Sequence, residues 1–152
     1  MRKPKQVLVF LYKFDNNDNE YKYCLFFRSD RKFYQAISGG VEDDEQLTDT
    51  VIRELYEETG ITNISKIYKL LTTSSIPVVN ITGEYTWGEN VYIATEYCFA
   101  IEITNQKIKL SNEHKSFKWV PYNEAIDLLK YDSNKTALWE LNERLLKNNL
   151  VE

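Results

Sequence analysis

A chain of 152 residues, 43% hydrophobic and 28% charged, is long enough to bury one real core and is expected to form a single domain over residues 1–152. Its net charge of −4 argues against a nucleic-acid-binding surface, which would need clustered Lys and Arg. No stretch approaches the roughly 20 apolar residues of a membrane span, so no membrane partner is expected.

The first segment, MRKPKQVLVFLYKF, sets basic residues before a short apolar run. That run covers only Val7 to Tyr12 and lacks a small-residue cleavage site, so it reads as a strand and not as a secretion signal. Gln6–Phe14 and Glu20–Arg28 are rich in Val, Leu, Phe and Tyr, and the intervening DNNDN predicts a hairpin. Lys32–Ser38 predicts a third strand closed by Gly39 and Gly40. Asp43 or Asp44 can cap the helix that follows, and Asp43 with Gln46 has the spacing of a capping box. Leu47, Val51 and Leu55 then recur every four residues and give that helix one apolar flank. Gly60 is its expected left-handed cap.

Beyond the helix, Ile64–Thr73 predicts a strand, Ser74–Asn90 a polar irregular loop, and Glu89–Thr104 a long strand carrying Tyr92, Tyr97 and Phe99. A short strand over Ser116–Val120 precedes two helices, Tyr122–Lys130 and Lys135–Leu146. The plan is α/β, a mixed sheet with helices on both sides in an α/β/α sandwich. Cys24 and Cys98 lie in strand-like aromatic runs without a CxxC motif or a histidine at ligand spacing. Both read as buried, reduced core residues of a cytoplasmic protein.

The chemistry is concentrated in GGVEDDEQLTDTVIRELYEETGI. On a helix, Glu54, Glu57 and Glu58 fall within about one 100° sector. The 54/57 and 54/58 pairs repel at neighbour spacing, costing about 0.2–0.5 kcal/mol each, in a last turn where the helix dipole already disfavours anions. Arg53 supplies one positive charge, and no Lys or His interleaves the glutamates. A divalent cation supplies what is missing. All-oxygen donors suit Mg²⁺, Mn²⁺ or Ca²⁺ better than copper or a structural zinc, and Mg²⁺ keeps coordination positions open for water or substrate phosphate.

The segment resembles the Nudix box, GX5EX7REUXEEXGU with U aliphatic, and fills every specified position through Gly39, Glu45, Arg53, Glu54, Leu55, Glu57, Glu58, Gly60 and Ile61. Weaker resemblance to the bacterial dihydroneopterin triphosphate pyrophosphatases within that family, also described as dATP pyrophosphohydrolases, extends through FFRSDRKFYQAISGGVE, TEYCFAIEI and the C-terminal SNEHKSFKWVPYNEAIDLLKYDSNKTALWELNERL. Tyr34 stands where that group carries Trp. The resemblance implies the Nudix fold and a Mg²⁺-dependent pyrophosphohydrolase, with Mn²⁺ as a substitute. Its substrate would be a small nucleoside triphosphate or pterin triphosphate, cleaved to monophosphate and pyrophosphate. It also implies Glu57 and Glu58 as chief metal ligands, Glu54 as ligand or general base, and Glu45 as a weaker or water-mediated ligand. The Gly39 carbonyl is a further donor, and Arg53 orients the glutamates.

Glu113 is either an additional ligand or base, or a solvated loop carboxylate beside His114, the single histidine and read as structural. Arg28 either pairs with substrate phosphate or lies on a solvated hairpin edge. Phe33 and Tyr34, next to Gln35, either stack on a base or pterin or belong to the core. Within the family, ADP-ribose, dinucleoside polyphosphates and 8-oxo-dGTP remain alternative substrates, and a homodimer is an open possibility. In a different class stands a non-catalytic Nudix-like binding module. Such a module does not require the complete glutamate set found here.

Overall fold

The structure is a computed structural model and describes residues 2–111 and 114–151. These form strands β1 (Arg2–Asp15), β2 (Glu20–Arg28), β3 (Phe33–Gln35), β4 (Ile37–Glu42), β5 (Tyr68–Pro77), β6 (Ile93–Glu102) and β7 (His114–Val120). The helices are α1 (Leu47–Thr59), α2 (Val79–Thr82), α3 (Tyr122–Leu128) and α4 (Asp132–Leu146).

β1 is the spine of a seven-stranded mixed sheet. Along one edge its C-terminal half pairs antiparallel with β2 (Leu11 opposite Cys24) and its N-terminal half antiparallel with β4 (Val7 opposite Gly39). Its other edge takes β6 in parallel, with Leu8 opposite Cys98. β3 and β7 extend the sheet from opposite edges of β2, and β5 flanks β6.

The unbroken apolar run of β1 has a direct cause, since alternate residues enter two cores. Val7, Val9 and Leu11 pack with Val51 and Leu55 of α1, while Leu8, Phe10 and Tyr12 pack with Ala137, Leu138 and Leu141 of α4. The expected sandwich is therefore present, with α1 on one face of the sheet and α3 and α4 on the other. Cys24 and Cys98 are buried free thiols, one in each core.

Several boundaries differ from the sequence expectation. The third strand is split at Ala36, where the chain passes from pairing with β2 to pairing with β1. Gly39 and Gly40 lie inside β4 instead of closing a strand. β5 begins at Tyr68 and continues through Ser74–Pro77, a stretch expected as loop, because those residues pair with Ile93–Glu96 of β6. The register of this pair shifts between Lys69 and Thr73, and Glu140 of α4 meets the irregularity. Its carboxylate accepts from the Leu71 and Thr72 backbone N–H groups at 2.7 and 2.8 Å and from the Thr72 hydroxyl at 2.6 Å. α4 starts at Asp132, three residues before the expected Lys135. No helix among the described residues is long and apolar enough to cross a membrane.

Candidate active site

α1 carries the box carboxylates, and its local chemistry explains where it starts. Glu45 is drawn out of the helix: its Oε1 accepts from the Glu42 backbone N–H at 2.9 Å and from the Thr50 hydroxyl at 3.0 Å. The cap therefore falls on Gln46, whose backbone N–H donates to the Asp49 carboxylate at 2.9 Å, and not on Asp43 or Asp44. At the other end Gly60 adopts φ 74°, and its N–H donates to the Tyr56 carbonyl. The Glu58 and Thr59 carbonyls are met by the N–H groups of Ser111 and Lys109. This supplies donors to a helix end that has no basic residue in its last turn.

Arg53 is the hub of the site. Its Nε and Nη2 grip the two oxygens of Glu45 at 2.6 and 2.9 Å, the forked pairing that a guanidinium favours. Nη2 also donates to the Gly40 carbonyl at 2.8 Å, and Nη1 reaches Glu54 at 2.8 Å and Glu57 at 3.4 Å. Glu58 accepts from the Ser111 hydroxyl at 3.1 Å. The Arg53 guanidinium holds the Glu45 carboxyl down at about 2, against the opposing effect of burial. Glu54 behaves in the opposite way. Burial, reinforced by the neighbouring Glu57 charge, pushes its carboxyl up to about 7 despite the hydrogen bond from Arg53.

Gly39 explains how Glu54 fits. A Cβ on Gly39 would collide with the Glu54 carboxyl group, so this carboxylate lies directly against the β4 backbone. The requirement is for close approach and not for an unusual dihedral, since Gly39 is not among the positive-φ residues. On the opposite face of the sheet a Cβ on Gly40 would meet the Arg2 guanidinium.

Among the described residues no three carboxylate, histidine or cysteine side chains stand as a ready cation cage; Arg53 bridges Glu54 and Glu57, and Ser111 donates to Glu58. The donor set nevertheless fits a hard divalent cation. It is wholly oxygen, and buried Glu54 shares its one cation, Arg53, with Glu45 and Glu57. Glu57 is the most open member, its side chain 53% exposed. Glu113 lies outside the described residues.

A cavity of about 360 Å³ opens beside Gly39. Arg28, Arg31 and Gln35 line it, together with Arg2, Glu96, Tyr131 and Asn134, which sequence reasoning did not single out. Arg28 is held in a forked pair with Asp30 at 3.1 and 2.7 Å. Phe33 and Tyr34 are not among the lining residues. Phe33 is buried edge-on to Tyr131, and Tyr34 packs edge-on against Phe27 with the Lys118 ammonium over its ring. Tyr131 is the aromatic ring the cavity presents, brought there by the turn into α4. One signal in the sequence pointed to Glu96: it occupies the same alternating face of β6 as the buried Ala94, Cys98 and Ala100. A carboxylate in an apolar row is out of place unless something uses it.

The comparisons with known proteins agree with this geometry. The chain is 28% identical over 136 residues to the dihydroneopterin triphosphate diphosphatase of Haemophilus influenzae, covering 88% of this chain and 84% of that protein. A solved structure of a proposed NUDIX hydrolase from Listeria monocytogenes superposes with a TM-score of 0.87 at 38% identity, covering 99% of both chains. The dihydroneopterin triphosphate pyrophosphohydrolase of Escherichia coli shares the fold at a TM-score of 0.75 and 23% identity, over 94% of this chain and 97% of that one. With a NUDIX domain model matching residues 3–141, a complete box on α1 and this sheet, the chain belongs to the Nudix hydrolase family, whose members generally use a divalent metal on nucleotide-type substrates.

Proposed function

We propose that this chain, acting as one domain over residues 1–152, is a Mg²⁺-dependent pyrophosphohydrolase. It cleaves a nucleoside triphosphate or dihydroneopterin triphosphate to monophosphate and pyrophosphate, and Mn²⁺ replaces Mg²⁺. The observation that carries this is the position of Glu54. It is a buried carboxyl pressed against Gly39, whose other surroundings include the cavity lined by Arg28 and Arg31. The relatives named for the dihydroneopterin reaction support the choice of substrate class.

Glu57 and Glu58 would be the principal ligands, with the Gly39 carbonyl as a further donor and Glu54 as a ligand or the general base. When bound, the metal supplies Lewis acidity and a water of lowered pKa. The remaining roles belong to the chain. Glu54 either ligates or takes the proton of the attacking water. Glu45 has both oxygens engaged, and its role is to anchor Arg53 so that Nη1 stays on Glu54 and Glu57. Arg28 and Arg31 neutralise phosphate, and Gln35 contributes polar contacts in the cavity. Tyr131 takes over the ring-contact role expected of Phe33 and Tyr34.

A cytoplasmic location accords with the two buried free thiols. A homodimer is part of the same proposal, with the Leu71 side chain, 80% exposed on the last strand of the sheet, as a contact for a second copy. Purified protein with Mg²⁺ is to be assayed on dihydroneopterin triphosphate, the dNTPs, 8-oxo-dGTP, ADP-ribose and diadenosine polyphosphates, reading pyrophosphate and monophosphate separately. Glu57→Gln should reduce pyrophosphate release from the best triphosphate by orders of magnitude. Undiminished release in that variant would remove the box from the mechanism, and silence of the native protein across the panel would favour a binding module.

A further inference from the structure

The cavity contains two side-chain acceptors that nothing satisfies among the described residues, Glu96 Oε1 and Asn134 Oδ1. Both residues are deeply buried, 3% and 5% exposed. Asn134 sits in the first turn of α4, its Nδ2 directed to the Ser133 hydroxyl at 3.4 Å. Buried polar groups are almost always paired, and each exception calls for an explanation.

The polarity of Glu96 is fixed by a relay that begins at Arg2. A guanidinium can only donate, and Arg2 Nη2 donates to Gln6 Oε1 at 3.1 Å. The Gln6 amide oxygen therefore faces Arg2, and its Nε2 donates to Glu96 Oε2 at 2.6 Å. One Glu96 oxygen is thereby held as an acceptor. The other is left without a partner, in a cavity that Asn134 also lines and whose walls include Leu8, Ile81 and the Tyr131 ring. Arg2 lines the same space; its Nη2 is directed to Gln6, while its buried Nε is a donor that nothing satisfies among the described residues.

A ligand that suits these groups is a flat heterocycle that brings two adjacent N–H donors to the two acceptors and, flanking them, one carbonyl to a donor such as Arg2 Nε. The amino-lactam edge, a ring N–H beside an exocyclic amino group, has this pattern and is shared by guanine and the pterins. Adenine sets a ring acceptor beside its amino group, cytosine does the same, and thymine flanks one N–H with two carbonyls. A site that leaves buried polar groups unpaired when the wrong ligand binds discriminates far more strongly than one built from apolar contacts.

We propose that Glu96, positioned by Gln6 and assisted by Asn134, is the specificity-determining residue of the cavity and selects a ring with the amino-lactam edge of guanine or pterin over adenine and the pyrimidines. This rests on the triphosphate pyrophosphohydrolase assignment for its consequence in catalysis, but the selection itself is a binding property. It can therefore be measured without turnover.

The experiment is calorimetric binding of dGMP and dAMP to the full chain without metal, for the native protein, Glu96→Gln and Glu96→Asp. The native protein should prefer dGMP by about tenfold or more. Glu96→Gln should bring the two affinities to within about twofold, and Glu96→Asp should restore part of the preference. Should Glu96→Gln fail to fold, competition between guanine and adenine mononucleotides on the native protein decides the matter alone. Equal affinities in the native protein, a preference for dAMP, no detectable binding of either, or an unchanged ratio in a folded Glu96→Gln would each overturn the proposal. Hydrolysis of all dNTPs without base preference would leave the pyrophosphohydrolase assignment standing and this one fallen. A dGMP preference that depends on Glu96, in a protein without metal-dependent turnover, would do the reverse.

Discussion

Replacing Gly39 with Ala adds one methyl group, and the structure says where it lands: on the Glu54 carboxyl group, well inside van der Waals contact. Glu54 must retreat by about 1.5–2 Å to restore ordinary carbon–carbon spacing. It cannot do so while keeping its 2.8 Å hydrogen bond from Arg53 Nη1. A misplacement of about 1 Å in a reacting constellation costs on the order of 10²-fold in rate, equivalent to about 2.7 kcal/mol of transition-state stabilisation. The folding cost is smaller. One charge-assisted hydrogen bond contributes about 1.5–3 kcal/mol, and Ala in place of Gly within a strand returns about 0.5–1 kcal/mol. A domain of ordinary stability survives the difference. The assay is Mg²⁺-dependent pyrophosphate release from the best triphosphate of the panel, with thermal unfolding as the control for structure. The expected result is a kcat reduced about 10²-fold in a protein that still folds. Gly40→Ala is the informative neighbour, because its methyl group meets Arg2 on the other face and should disturb KM more than kcat. A Gly39→Ala enzyme within about threefold of native kcat would refute the claim that Glu54 acts from its seat against β4.

The Arg53–Glu45 pair should show itself in acid. Its carboxyl is held at about 2 in the fold against about 4.5 when free, so its contribution is complete above pH about 4.5 and is lost as pH falls from there towards 2. After screening of a partly exposed pair this amounts to about 1–2 kcal/mol. Urea midpoints measured across that window should fall more steeply for native protein than for Glu45→Gln, and parallel curves would contradict the assignment. Addition of Mg²⁺ at one hundred times its dissociation constant should stabilise the protein by about 2.7 kcal/mol, raising Tm by about 5–10 °C, with reversal by chelator. That rise should shrink in Glu58→Gln; a Tm insensitive to divalent cations would count against the box as a metal site.

The box was legible in the sequence because its nine specified residues lie within one strand–helix segment, where spacing alone determines which side chains are neighbours. The core strands were legible for a similar reason, with Val7–Tyr12 displaying both faces of the sheet in one run. Boundaries shifted where a side chain overrode a local signal. Glu45 took the Glu42 N–H and moved the helix cap to Gln46, and pairing with β6 carried β5 past its apolar portion. The cavity was the least legible part. Arg2, Gln6, Glu96 and Asn134 come from three separate elements, and neither propensity nor periodicity records that the fold brings them together. Phe33 and Tyr34 drew attention because they adjoin the box, yet the ring that faces the cavity is Tyr131, nearly a hundred residues downstream.

The paired glycines of β4 leave the sheet locally only one backbone thick. Glu54 presses on it from the α1 side and Arg2 from the cavity side, so the two charges sense each other through a layer that contains no side chains. A cation taken up by the glutamates would thus change the field at the guanidinium that starts the relay to Gln6 and Glu96. Occupancy on either side becomes a thermodynamic variable for the other, and by reciprocity a heterocycle settled in the cavity must alter the affinity for metal by the same factor. The wall between the two compartments is therefore also the route of their coupling, and its thinness is written in two consecutive residues that carry no side chain.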